Sequence, residues 1–180
     1  MKTIFMVMAI ILVIFIAGCS QKNNQVYIDQ QEYSNATIQT FQETGDALRT
    51  DEQGKPIIRF FATSWCPHCK WIKETYMGVM KKYIDEGKVT AYLWEVDTND
   101  DLLRKGDQPI PSSEEQIFKR YNPKGSIPTF IFGCTYYRVG NGYEQQNNLA
   151  AEAAEFHAVI REVLATSGQA EEPADEETNT

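Results

Sequence analysis

Apolar and polar positions change period several times along the chain. After the short positive start Met1-Lys2, residues 4–16 are almost all apolar; residues 20–25 are polar and read as a tether. Val26-Tyr27-Ile28 predicts a short first strand. Between 34 and 49, Ala36, Ile38, Phe41, Ala47 and Leu48 give a moderate helical spacing, interrupted by Gly45. Residues 51–56 are turn chemistry, and the apolar run 57–62 predicts a strand. From Cys66 onward, apolar residues at 72, 76, 79, 80, 83 and 84 lie on one helical face, and Gly87 is a good stop. The β-branched and aromatic run 89–96 predicts a buried strand. Residues 97–113 form a long polar loop with Gly106, Pro109 and Pro111. Ser113-Glu114-Glu115-Gln116 predicts a capped helix over 114–121, stopped by Asn122-Pro123-Lys124-Gly125. Two strands follow, 126–132 with a proline near its start and 136–139, the second turned by Gly140-Asn141-Gly142. Leu149, Ala153, Phe156, Ile160, Val163 and Leu164 make a final amphipathic helix.

The predicted order is β-α-β-α-β-α-β-β-α. Alternating strands and helices imply an α/β sheet flanked by helices, and the two adjacent strands near the end add an antiparallel edge. The 180 residues suit one domain, over 26–167, with trimmings. From Gly168 the chain is acidic and proline-bearing, and residues 168–180 read as a disordered tail. The net charge of −8 and the absence of a Lys/Arg cluster exclude a nucleic-acid face.

The first 18 residues have the length and small-residue ending of a secretory signal, and the apolar run is short for a membrane span of roughly 20 residues. Ile16-Ala17-Gly18-Cys19 resembles a lipobox, which implies that Cys19 becomes the lipidated first residue of the mature chain. The alternative is an uncleaved signal anchor. Either way the expected location is extracytoplasmic, at a periplasmic or cell-surface membrane.

Cys66, Cys69 and Cys134 then remain. Trp65-Cys66-Pro67-His68-Cys69-Lys70 falls between a predicted strand and a predicted helix. A cysteine at a helix N-terminus faces unpaired N–H groups and the positive end of the dipole, which favour the nucleophilic thiolate. Cys66, nearer the helix end and expected to be the more exposed, is the candidate nucleophile. Cys69, one turn on, is the resolving thiol that can close a disulfide with it. His68 is expected to donate to the Cys66 thiolate, or to attract it when protonated. Pro67 costs little in the first turn. A purely structural Cys66–Cys69 disulfide is the bland alternative. Zinc would want a second ligand pair, and covalent haem would want a histidine where Lys70 stands, so neither metal nor organic cofactor is expected. Cys134, read as lying on one strand with Pro128, should sit roughly 20 Å from it. His157 reads as a helix-surface or boundary residue.

Trp65-Cys66-Pro67-His68-Cys69 opening a helix, with Ile127-Pro128-Thr129 opening a later strand, resembles the thioredoxin superfamily over residues 26–166. The resemblance implies a thioredoxin-like fold with a central mixed sheet, a cis bond before Pro128, and Pro128 lying against the redox pair. The Pro67-His68 dipeptide is similar to that of DsbA-type periplasmic oxidases, though the chain has no room for their large helical insertion. Arg59 and Phe60 stand where thioredoxins often bury an aspartate that moves protons for the second cysteine. Glu95 is either a substitute or a residue at the solvated end of its strand. Ile127 and Pro128 would offer backbone edges to a bound peptide, with Trp65 beside the motif. The loop after Asp97 leaves the carboxyl end of its strand, on the side where ligands of open α/β sheets bind.

The expected function is thiol–disulfide exchange with exported proteins, favouring oxidation on account of His68, with a membrane redox partner to recharge the pair. A reductase of exported thiols, as in cytochrome maturation, is the alternative enzyme. A non-catalytic thioredoxin-fold adaptor lipoprotein is the alternative outside catalysis.

Overall fold

The computed structural model describes residues 33–104 and 109–168. The expected signal peptide, Cys19, the tether, the strand at 26–28 and nearly all of the acidic tail lie outside the described residues.

Strand β2 (Ile57–Ala62) is the spine of the sheet. Its residues alternate across the pleat. Ile58, Phe60 and Ala62 face one core, whereas Phe61 faces the other. β2 runs parallel to β3 (Thr90–Glu95) and antiparallel to β5 (Thr129–Phe132). β5 pairs with β6 (Tyr136–Val139), and the two-residue strands β1 (Gln42–Glu43) and β4 (Asp100–Asp101) close the edges in the order β1-β6-β5-β2-β3-β4. Helices α1 (Pro67–Asp85) and α3 (Leu149–Ser167) pack on one face over Phe60, Phe130 and Phe132. Helix α2 (Ser112–Tyr121) covers the other face with Ile117, Phe118 and Tyr121 against Phe61, Trp94 and Ile131. The α/β expectation and the mixed sheet flanked by helices hold.

Four expectations about elements need correction. Residues 34–49 contain no α-helix. They run extended along α3, where Glu155 accepts from the Gln39 and Thr40 amides and Arg161 donates to the Tyr33 and Ala36 carbonyls. Side chains of α3 therefore satisfy a backbone that would otherwise have to coil upon itself. The expected Ser113 cap is absent: α2 begins at Ser112 after Pro111, with no side-chain cap, and Glu114 is turned under the sheet to Arg59. Gly140-Asn141-Gly142 follows β6 and is not the hairpin turn of the sheet; the β5–β6 turn is Gly133-Cys134-Thr135, where Gly133 and Cys134 have φ of 60° and 62°. Cys134 thus sits in a buried turn rather than on a continuous strand with Pro128.

His157 is the fourth. It is buried, stacked on Tyr33 at 5.0 Å, with Nδ1 2.8 Å from the Tyr83 hydroxyl. The helix face that periodicity assigned to solvent is covered by the N-terminal segment, which the sequence had placed in a separate helix.

Two buried ion-pair clusters fasten the layers. Arg59 Nε and Nη2 donate to Glu114 at 2.5 and 2.9 Å, and Trp94 Nε1 donates to the same carboxylate. On the opposite face Arg138 donates to Glu152 at 2.6 Å and to Glu155 at 3.2 Å, with its guanidinium over the Phe41, Phe130 and Phe156 rings.

Candidate active site

Residues 63–66 carry the chain from the end of β2 into α1, and Cys66 is the last of them. Its backbone is still extended (φ −69°, ψ 119°), and Pro67 occupies the first helical turn, where a missing N–H leaves nothing unsatisfied. Cys66 is the helix N-cap: its sulfur accepts from the Cys69 amide at 3.3 Å. No acidic residue lies in the first turn of α1, so nothing there opposes a negative sulfur at the positive end of the helix.

Cys66 and Cys69 are free thiols 2.9 Å apart. Their exposures are 3% and 1%, which corrects the expectation that Cys66 is markedly the more open. Cys66 nonetheless lies just beneath the surface, because Ser64, Trp65, Pro67 and His68 around it are all exposed and Trp65 stands 67% free. Burial, followed by its hydrogen bond with Cys66, pushes the Cys69 thiol up to about 12. The Asp97 carboxylate acts in the same direction, as would an ionised Cys66, and the Thr63 amide opposes them. The pair is therefore asymmetric: one sulfur caps a helix, and the other is held as a protonated thiol.

That asymmetry has a consequence for stability. The fold binds the Cys69 proton more tightly than the unfolded chain does, so stability falls with pH between the ordinary 9.0 and about 12. Below that window the contribution is fully present. Urea titrations of the reduced protein at pH 8, 10 and 11 should show a steeper loss than those of a Cys69→Ala variant. Parallel losses would mean that Cys69 titrates as an ordinary thiol.

The Ile127–Pro128 bond is cis, and Ile127 packs against the core cluster that contains Cys66 and Cys69. The Pro128 carbonyl accepts from the Gly140 amide at 2.8 Å, which ties the start of β5 to the end of β6. Asp97 accepts from both the amide and the hydroxyl of Ser64, so the loop after β3 is anchored to the approach to Cys66. Those two bonds hold the Asp97 carboxyl below the usual carboxylate range.

The structure moves two candidates from their expected places. Glu95 is buried, 3.4 Å from Lys73 of α1 and bonded to the Thr98 hydroxyl, and is not at a solvated strand end. His68 does not bond Cys66 among the described hydrogen bonds; its Nδ1 lies 2.8 Å from Glu144. Phe60 and Leu93 are cross-strand partners on the α1 face, so the place of the buried aspartate is apolar. Arg59 lies on the opposite face, with Nη1 3.9 Å from the Cys134 sulfur.

Sequence reasoning missed the grip of residues 141–147 on the first turn of α1. Asn141 donates to the His68 carbonyl at 3.0 Å and to Glu144 at 2.8 Å, while Asn147 accepts from Trp71 Nε1. No local pattern could have shown it, because the partners are 73 to 76 positions apart.

The thioredoxin-like domain family matches residues 46–157, a span that holds the cysteine pair, the cis-proline and the first half of α3. The chain belongs to that family. Among solved structures, this thioredoxin-like protein is similar to Deadhead, a germline-specific thioredoxin of Drosophila melanogaster. The identity is 22% over 59% of this chain and 97% of Deadhead, with a TM-score of 0.35. No curated protein matches the chain. Family membership and the adjacent thiols give the protein a redox role of the thiol–disulfide kind.

Proposed function

We propose that this thioredoxin-like protein is an extracytoplasmic thiol–disulfide oxidoreductase, tethered to a membrane through a lipid on Cys19, that exchanges disulfides with exported proteins. The observation that carries the exchange chemistry is the asymmetric pair: Cys66 at the α1 N-cap, and Cys69 beneath it as a high-pKa thiol. The tether and the location rest on the apolar segment and the lipobox-like Ile16-Ala17-Gly18-Cys19.

In the oxidising direction a substrate thiolate attacks the Cys66 sulfur of the Cys66–Cys69 disulfide. The S–S bond breaks, a mixed disulfide forms on Cys66, and Cys69 leaves and takes up a proton. A second substrate thiolate then attacks the substrate sulfur of the mixed disulfide and releases Cys66 as thiolate. Two electrons have moved from substrate to enzyme, and a membrane redox partner removes them. Ile127, the residue before the cis-proline, supplies the backbone edge for the substrate, since the Pro128 carbonyl is already bonded to the Gly140 amide, and Trp65 stands exposed at the rim. The Pro67-His68 dipeptide favours this direction, since a stabilised Cys66 thiolate makes a stronger oxidant.

One observation favours the reverse direction, the reduction of exported disulfides: His68 is paired with Glu144 and not with Cys66. The equilibrium potential of the pair in glutathione buffers separates the two readings. Oxidation expects a value toward about −120 mV, and a value near about −270 mV makes the protein a reductase.

A further inference from the structure

We propose that Glu144 is a positioning residue that competes with Cys66 for His68 and thereby sets the redox poise of the pair. This deepens, and rests on, the thiol–disulfide reading above.

The geometry is specific. Glu144 offers two carboxylate oxygens. Oε1 lies 2.8 Å from His68 Nδ1, and Oε2 accepts from Asn141 Nδ2 at 2.8 Å. The same Asn141 nitrogen reaches the His68 carbonyl at 3.0 Å. Side chain and backbone of His68 are thus held in one bracket. Asn141 orients its amide for this, and its Oδ1 is buried without a hydrogen-bond partner. An orphaned buried acceptor carries a cost, so its orientation is set by the two acceptors facing its nitrogen.

The bracket is anchored by the fold and is not a chance surface contact. The Tyr143 amide donates to Glu152 Oε1 at 2.8 Å, and Glu152 is fully buried against Arg138. Asn147 ties the far side of the same loop to Trp71, one turn along α1. Glu144 therefore approaches α1 from a segment fixed at both ends.

The chemical consequence follows from what a carboxylate does to an imidazole. Accepting from Nδ1–H decides which ring nitrogen carries the proton and which way the ring faces. It also neutralises an imidazolium as seen from Cys66. Both effects withdraw support from the Cys66 thiolate, whose hydrogen bond in this structure comes from the Cys69 amide. A less stabilised thiolate means a less stable reduced form, and hence a weaker oxidant. Glu144 tempers what the Pro67-His68 dipeptide alone would give. The pair is part-exposed, with side-chain exposures of 60% and 30%, so solvent screens it and the effect is moderate.

The test is a double-mutant cycle on the glutathione equilibrium of the full chain: wild type, Glu144→Ala, His68→Ala and the double variant. Glu144→Ala should shift the equilibrium about fivefold toward the reduced enzyme, equivalent to about 20 mV for a two-electron couple. In the His68→Ala background the same substitution should change it less than about twofold, because its target is gone. Glu144→Gln keeps an oxygen for Nδ1–H and should move the equilibrium in the same direction by less. It also preserves the loop should alanine loosen it.

No shift, a shift toward the oxidised form, or equal shifts in both histidine backgrounds overturns the proposal. A Gln shift as large as the Ala shift assigns the effect to charge alone and overturns the positioning role. A wild type that never equilibrates with glutathione removes the thiol–disulfide reading itself, and this inference with it. A wild type that equilibrates normally with a flat cycle removes only the role of Glu144.

Discussion

Replacing Cys66 with serine should cut disulfide exchange with protein substrates by about a thousandfold, equivalent to about 4 kcal/mol of barrier. Cys66 is the sulfur at the helix N-cap and the one ringed by exposed residues. Serine can fill the cap, so the variant should fold, but its hydroxyl neither attacks a disulfide nor closes one. Cys69→Ser should behave differently. With the resolving thiol gone, the mixed disulfide on Cys66 accumulates, and mass spectrometry should find substrate attached. Insulin reduction and reactivation of reduced ribonuclease measure the two directions. If Cys66→Ser and wild type behave alike in both assays, the protein is a thioredoxin-fold adaptor and not an enzyme.

Removing Arg138 should be the most damaging change to the fold. Its guanidinium is the cation facing Glu152 and Glu155, side chains with exposures of 0% and 1%. Glu155 also accepts from the Gln39 and Thr40 amides, and Glu152 from the Tyr143 amide. Arg138→Ala leaves two carboxylates buried without their counter-ion and opens space among the Phe41, Phe130 and Phe156 rings. Breaking a buried pair in this way costs about 3–5 kcal/mol. Urea unfolding should show the midpoint falling accordingly, and a loss below about 1 kcal/mol would mean that the carboxylates are relieved by protonation or water. The same substitution should loosen the loop that carries Glu144, since Glu152 anchors Tyr143.

Phe60 and Leu93 lie under α1. Buried charges gather in the Arg59–Glu114 pair on one face of the sheet and the Arg138–Glu152–Glu155 group on the other, with Glu95 and Asp101 buried near the end of β3. The polar groups that act on Cys69 are Cys66, the Thr63 amide and Asp97.

Much of the fold was legible in the sequence, and the reason differs by element. β2, β3 and α1 were read within a residue or two because each carries its own period and its own stop, such as Gly87 after α1. The paired cysteines at the β2–α1 junction needed only local order to be placed at a helix N-terminus. The cis bond before Pro128 came from family resemblance and not from any local pattern. Residues 34–49 were misread because their apolar spacing suits a helix, while the partners that satisfy their backbone, Glu155 and Arg161, lie more than a hundred positions away. His157 is misplaced for the same reason, since Tyr33 and Tyr83, which cover it, are distant in sequence.

What the chain alone determined was which residues could coil, extend or turn, and that two thiols would meet at a helix end, because those properties depend on neighbours within a few positions. What tertiary structure decided was which charges are buried, which way His68 faces, and that residues 141–147 close over the first turn of α1. Those outcomes depend on hydrogen bonds and ion pairs between segments that only the folded sheet and helices bring within bonding reach of one another, and no periodicity along the chain encodes that proximity.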